Sequence, residues 1–170
     1  MAVSVPRFRR PPASGGAGPG TGWPEAVAQG RIVRVGSGRR EVPCVGALVY
    51  DETGRILLVR RANPPAAGLW SVPGGRVEPG EDGLQAVVRE VAEETGLEVV
   101  AERLVGSVLR DGPDGALYVV ADYACRTVGG TLRAGDDASA AAWFSAADLR
   151  ALPTSPGLVE ALVEWDALPR

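Results

Sequence analysis

Three glutamates, Glu90, Glu93 and Glu94, stand close together in a stretch without proline. On a helix turning about 100° per residue, spacings of three and four bring such side chains together along one edge. Like charges placed there cost a few tenths of a kcal/mol per pair, so a purely structural helix gains nothing from them. A hard divalent cation removes the penalty, because Mg²⁺ and Mn²⁺ favour clustered carboxylate oxygens. Arg89 adjoins the same edge and can reach Glu93, four residues on. The chemistry this suggests is metal-assisted hydrolysis.

The element that must carry these side chains runs from about Asp82 to Thr95 and meets Gly96 at a C′ position. Leu84, Val87, Val88, Val91 and Thr95 share the arc beside the acids and should face a sheet. A Gly/Pro-punctuated loop through Gly80 precedes it. Together the two halves run Gly75, five residues, Glu81, seven residues, Arg89-Glu90-Val91, one residue, Glu93-Glu94, one residue, Gly96-Leu97. This spacing resembles the complete signature box of the Nudix hydrolases.

Composition narrows the chemistry independently. The 170 residues contain no His, and all 18 basic residues are Arg. Serine–histidine triads, imidazole zinc sites, Schiff-base lysines and a P-loop lysine are excluded, leaving carboxylates, Arg and water. Cys44 and Cys125 sit in apolar, strand-like runs and read as small buried hydrophobes rather than a disulfide. No apolar run reaches the roughly 18 residues of a membrane span, and no signal-peptide pattern opens the chain. A cytoplasmic protein without a membrane partner is expected.

Charge and punctuation divide the chain in two. Residues 1–43 carry seven Arg against Glu25 and Glu41, a net +5, whereas the remainder carries −8. Residues 1–40 read as a Pro/Gly/Arg-rich extension, largely disordered, and 41–170 as one domain. The basic arm lacks interleaved aromatics and adjoins an acidic domain, so nucleic acid is not an expected partner. The sequence leaves a homodimer open.

Within the domain, Val42–Tyr50 reads as a buried strand and Arg55–Arg60 as its return; Leu69–Val72 is a short extended piece. Leu97–Val100, Leu104–Arg110, Ala116–Arg126 and Ala140–Phe144 are further strands. Ser145 should cap a helix over Ala146–Leu152, and Ser155-Pro156 should open a last one with Leu158, Leu162 and Trp165 on one face. The pattern predicts an α/β (α+β) fold, a mixed β-sheet between helices. The resemblance, over roughly residues 42–166, implies the same Nudix-type α/β/α sandwich.

The resemblance also implies a reaction and its residues. Water would attack one phosphorus in the pyrophosphate of a nucleoside diphosphate linked to another group, with Mg²⁺ or Mn²⁺. Glu90, Glu94, often Glu93, and the carbonyl of Gly75 would be the metal ligands. Glu94 and Glu90 rank ahead of Glu93 as the proton acceptor, and Glu81 would orient the ligands with Arg89 from behind. Gly74 and Gly75 let backbone approach the metal where a Cβ would obstruct it. Asp137, rather than Asp136, is the candidate extra acid. Arg60 and Arg61 end the second strand, and alternation points only one inward; Arg61 is the phosphate-binding candidate. Trp70 could stack on a base or pack in the core. ADP-ribose leads among substrates because Pro113 lies sixteen residues after Leu97; nucleoside triphosphates, ordinary or oxidised, come second. A non-catalytic nucleotide-sensing module of the same fold is the remaining alternative.

Overall fold

A computed structural model describes residues 38–63, 66–112, 115–135 and 137–170. The extension expected over residues 1–40 therefore lies almost wholly outside the described residues, as do Pro113 and Asp136. Among the described residues, no helix is long and apolar enough to cross a membrane.

Among the described residues, six strands form two three-stranded sheets. In the first, β1 (Glu41–Val49) lies parallel to β5 (Leu117–Gly130), and β4 (Leu97–Asp111) pairs antiparallel with the other edge of β5. In the second, β2 (Ile56–Arg61) lies between β3 (Trp70–Ser71) and β6 (Ala138–Phe144), both antiparallel to it. The mixed, strand-between-helices arrangement matches expectation, with the strands divided between two sheets instead of one. The two segments expected after the central helix are one strand, β4, whose register shifts at Glu98/Val99, Ala101/Arg103 and Leu104/Gly106. Bulges bend a long strand without ending it, which is why two strands were read there.

Helix α1 (Gly83–Thr95) covers one side of the strands. Ala86, Val87 and Val91 are fully buried and meet Val45, Ala47, Val49 and Tyr123 from the first sheet and Leu57 from the second. On the other side, α2 (Ala146–Leu149) and α3 (Leu158–Glu164) bury Leu149, Leu158 and Leu162 against Leu48, Ile56 and Leu58. Burying such side chains stabilises by about 1.5–3 kcal/mol each, so alternating strand residues tie both helical layers to one core. Both cysteines are free and buried.

Helix ends follow their caps. Asp82 accepts from the Gln85 N–H while the Gln85 side chain accepts from the Asp82 N–H, and Gly96 closes α1 at φ 67°. Ser145 and Asp148 make the expected box at α2, which ends at Leu149 rather than Leu152. The last helix starts later than Ser155-Pro156 suggests, with Gly157 as its N-cap. Leu84 leaves the apolar arc and is 40% exposed. It lies in the first turn, beyond the sheet, and Ala86 takes the buried place instead.

Candidate active site

The loop Pro73–Val77 is held along the edge of β1 by backbone hydrogen bonds. Val45 N–H donates to Gly75 O (2.9 Å), Ala47 N–H to Pro73 O (2.8 Å) and Val77 N–H to Pro43 O (3.0 Å). Gly74 lies so close to β1 that a Cβ would stand 2.9 Å from Gly46 Cα, and one on Gly75 would stand 2.6 Å from Glu90 Cδ. No side chain fits at Gly74 against the β1 backbone, and one at Gly75 would have to displace the Glu90 carboxylate. The loop is thereby pressed between β1 and the acidic edge of α1.

A second loop reaches the same helix from below. Arg133 N–H donates to Thr95 O and Gly135 N–H to Glu94 O, both at 2.9 Å, using carbonyls that a helix C-terminus leaves free. Gly135 approaches so closely that its Cβ would be 3.1 Å from Glu94 Cα. Asp137 lies two residues on, and its carbonyl accepts from Ala62 N–H (3.1 Å). Backbone contacts therefore register the acid before β6 against both α1 and the end of β2.

A cleft of about 510 Å³ opens between these parts. Arg61, Asn63, Gly74, Gly75, Glu90, Glu94 and Asp137 line it, with Arg76 to Pro79 along the rim. Of the residues singled out in the sequence, Arg61, Gly74, Gly75, Glu90, Glu94 and Asp137 are thus brought together. Arg60 points away and donates to Gly68 O (3.1 Å). Trp70 packs edge-on against Phe144, ring centres 4.7 Å apart, within the α2–α3 core. Glu93 is outside the cleft lining, with its side chain 60% exposed.

Arg89 organises the acids. It donates to Glu81 from Nε (2.6 Å) and Nη2 (3.0 Å), to Glu90 (2.9 Å) and Glu93 (3.0 Å) from Nη1, and to Arg76 O (3.1 Å). Only a planar fork with several donors can serve three carboxylates and a carbonyl at once. The hydrogen bond from Arg89 and the Glu78 N–H hold the Glu81 carboxyl down at about 2. The same pairing raises Arg89 further above its ordinary value, keeping it charged.

Glu90 and Glu94 behave in the opposite way. Burial pushes Glu94 up to about 7, against the Gly74 N–H, which donates to its Oε2 at 2.9 Å. Burial also raises Glu90, with Arg89 opposing. Cys44, beside Arg76 and Glu90, is driven up to about 11 by burial and is no nucleophile at neutral pH. Arg61 supplies the missing counter-charge, since its Nε is buried and meets no hydrogen-bond acceptor among the described residues.

These features suit a divalent cation. The donors facing the cleft are all hard oxygens, from Glu90, Glu94, Asp137 and the Gly75 carbonyl, whose second lone pair is not used by Val45. The space a Gly75 Cβ would fill is the space beside the Glu90 carboxyl. Among the described residues no three acidic or cysteine groups already stand as one ligating set, because Glu94 is tied to Gly74 and Glu90 and Glu93 are tied to Arg89. A cation would compete with those bonds. Two desolvated carboxyls with raised proton affinity are the groups that such a charge relieves most.

A family model for the NUDIX domain matches residues 40–165. The chain belongs to the NUDIX family. This NUDIX domain is 40% identical over 106 residues to an ADP-ribose pyrophosphatase of Methanocaldococcus jannaschii; the match covers 62% of this chain and 61% of that one. It is 34% identical over 125 residues to the CTP pyrophosphohydrolase of Escherichia coli K12, covering 73% and 91%. A solved NUDIX hydrolase from Nitrosomonas europaea superposes with a TM-score of 0.66 at 27% identity, covering 76% of this chain and 93% of the other.

Asn63 and Arg76 were not singled out in the sequence. Asn63 donates to Asp137 Oδ1 (3.1 Å) and so steers that carboxylate. Its only signal was its place two residues beyond Arg61, in the loop leaving β2. With Asn63 and the backbone fixing Asp137, Asp137→Asn is expected to impair turnover more than Asp136→Asn. Steady-state rates of the two variants decide it, and the reverse order would reassign the acid.

Proposed function

We propose that this NUDIX domain hydrolyses the pyrophosphate bond of a nucleotide in the cytoplasm, with the reaction centred on Glu94. The observation that carries the reading is the convergence of Glu90, Glu94, Asp137 and Arg61, whose Nε meets no hydrogen-bond acceptor among the described residues, around the Gly74–Gly75 loop. A Mg²⁺ or Mn²⁺ ion held by Glu90, Glu94, Asp137 and the Gly75 carbonyl would supply charge neutralisation and a more acidic bound water. Arg61 faces the phosphoryl oxygens, where negative charge accumulates. Glu94, which faces the cleft beside the Gly74 N–H, is the candidate to take a proton from the attacking water. Arg89 positions Glu90 and holds Glu81 and Glu93 in reach without entering the cleft.

ADP-ribose remains a substrate to test, supported by the name of the archaeal relative. The cations favour a second reading. Arg61 in the cleft and Arg76 on its rim suit a terminal phosphate, which ADP-ribose lacks and a nucleoside triphosphate carries. A hydrolysis screen with Mg²⁺ and with Mn²⁺ over ADP-sugars, nucleoside triphosphates and their oxidised forms tests the proposal. Release of a nucleoside monophosphate is the expected result. Binding of these compounds without any hydrolysis would instead favour the sensing module.

A further inference from the structure

Glu90, Glu94 and Asp137 face the cleft, and each is held by a different donor. Gly74 N–H donates to Glu94, the Arg89 guanidinium to Glu90, and the Asn63 amide to Asp137 Oδ1 (3.1 Å). The first two donors belong to the loop and the helix around which the site is built. Asn63 comes from elsewhere, the segment leaving β2, and the reaction described above gives it no part.

Backbone contacts fix where Asp137 stands but not where its carboxylate points. Gly135 N–H holds the preceding loop to Glu94 O, Ala138 N–H donates to Gly135 O (3.1 Å), and Asp137 O accepts from Ala62 N–H. The side chain itself is exposed, and an exposed Asp turns among several rotamers. Asn63 removes that freedom. It stands two residues beyond Arg61, and both line the cleft with Asp137. Its amide takes one oxygen of the carboxylate, and the other meets no hydrogen-bond donor among the described residues. This is also the one hydrogen bond that the Asn63 side chain makes among the described residues, so the amide has no separate task in the fold. An amide is moreover a suitable holder. It donates without carrying charge, so Asp137 keeps its negative charge for a cation, whereas a guanidinium, as at Glu90, opposes one.

We propose that Asn63 is a positioning residue of the metal site: by holding Asp137 Oδ1 it commits the second oxygen to the cleft and so sets the affinity of the site for a divalent cation. The inference rests on the metal-assisted reading above and adds to it a residue outside the acidic helix and its loop. Carboxylates that bind metals depend on such outer hydrogen bonds for their orientation.

Mn²⁺ binding to the full chain, followed through the paramagnetic resonance of the free ion, tests this without turnover. Asn63→Ala is expected to weaken Mn²⁺ binding by about tenfold. In an Asp137→Ala background the same change should alter the affinity by less than about twofold, because nothing is left to orient. The metal-free melting temperature of Asn63→Ala should match that of wild type, since the bond it removes lies at the surface. An unchanged affinity, or an equal loss in both backgrounds, would overturn the proposal. So would an affinity loss accompanied by a lower metal-free melting temperature, which would confine Asn63 to shaping its own loop. A wild type that binds no Mn²⁺ loses the metal-assisted reading and this inference with it. One that binds Mn²⁺ equally with and without Asn63 keeps that reading and loses the inference alone.

Discussion

Replacing Glu94 with Gln is expected to lower turnover by about 10³-fold while leaving the fold intact. The amide oxygen can still accept from Gly74 N–H, so the loop stays in place. What disappears is a group that binds a proton, or a cation, at the centre of the cleft. Near-normal turnover would remove Glu94 from the reaction. The substitution also has a signature in stability. The folded-state value of Glu94 stands above its ordinary 4.5, at about 7, so the folded protein holds a proton that the unfolded chain releases. In the cation-free protein, that contribution is present below about pH 4.5 and is lost as pH rises through 7. Asp122 is raised for the same reason and adds a decline of the same sign. Thermal melts of Glu94→Gln from pH 5 to 8 should therefore fall less steeply than wild type without becoming flat. Added Mg²⁺ should raise the wild-type melting temperature more at pH 8 than at pH 6, since cation binding needs the ionised carboxylates.

Arg89→Leu should reduce turnover by about 10–100-fold, although Arg89 does not line the cleft. Glu81, Glu90 and Glu93 lose their shared partner together, and Arg76 O loses a donor. The acids then repel one another, and Glu90 is free to leave the position beside Gly75. Because a divalent cation supplies the missing charge, part of the loss should be recovered at high Mg²⁺, which kcat measured against Mg²⁺ concentration will show. Arg89→Lys should rescue little, since one ammonium cannot bridge three carboxylates and a carbonyl. A lower melting temperature with unaltered kcat at every Mg²⁺ concentration would confine Arg89 to holding the fold.

What the sequence made legible was local. Glu90, Glu93, Glu94 and Arg89 lie on one helix, so their mutual geometry follows from chain spacing alone. Asp82 and Gly96 mark its ends for the same reason. Proximity across the fold was less legible. That Arg61 rather than Arg60 reaches the cleft depends on the β2–β6 pairing, which shifts register between those two residues. Asn63 and Arg76 gained significance only once loops from distant parts of the chain met. Trp70 could have stacked on a base but read more readily as a core aromatic, and its contact with Phe144, from a strand 74 residues downstream, places it in the core. Leu84 went astray because a helical wheel gives direction but not the edge of the surface being faced.

The parallel pairing of β1 with β5 has a bearing on how the molecule comes into being. β1 carries the Pro73–Val77 loop on one edge, but the other edge waits for residues that follow the central helix and the whole of β4. At ribosomal speeds of about 5–20 residues per second, that partner emerges roughly 4–15 s later. Throughout the interval Cys44–Val49 is an uncovered apolar ribbon, and the helix bearing the glutamates has no finished surface on which to settle. The nascent chain thus carries Glu90 and Glu94 before it has anywhere to aim them, and β5, which contributes no residue to the cleft lining, must arrive before β1 and β4 are joined, with Asp137 following it.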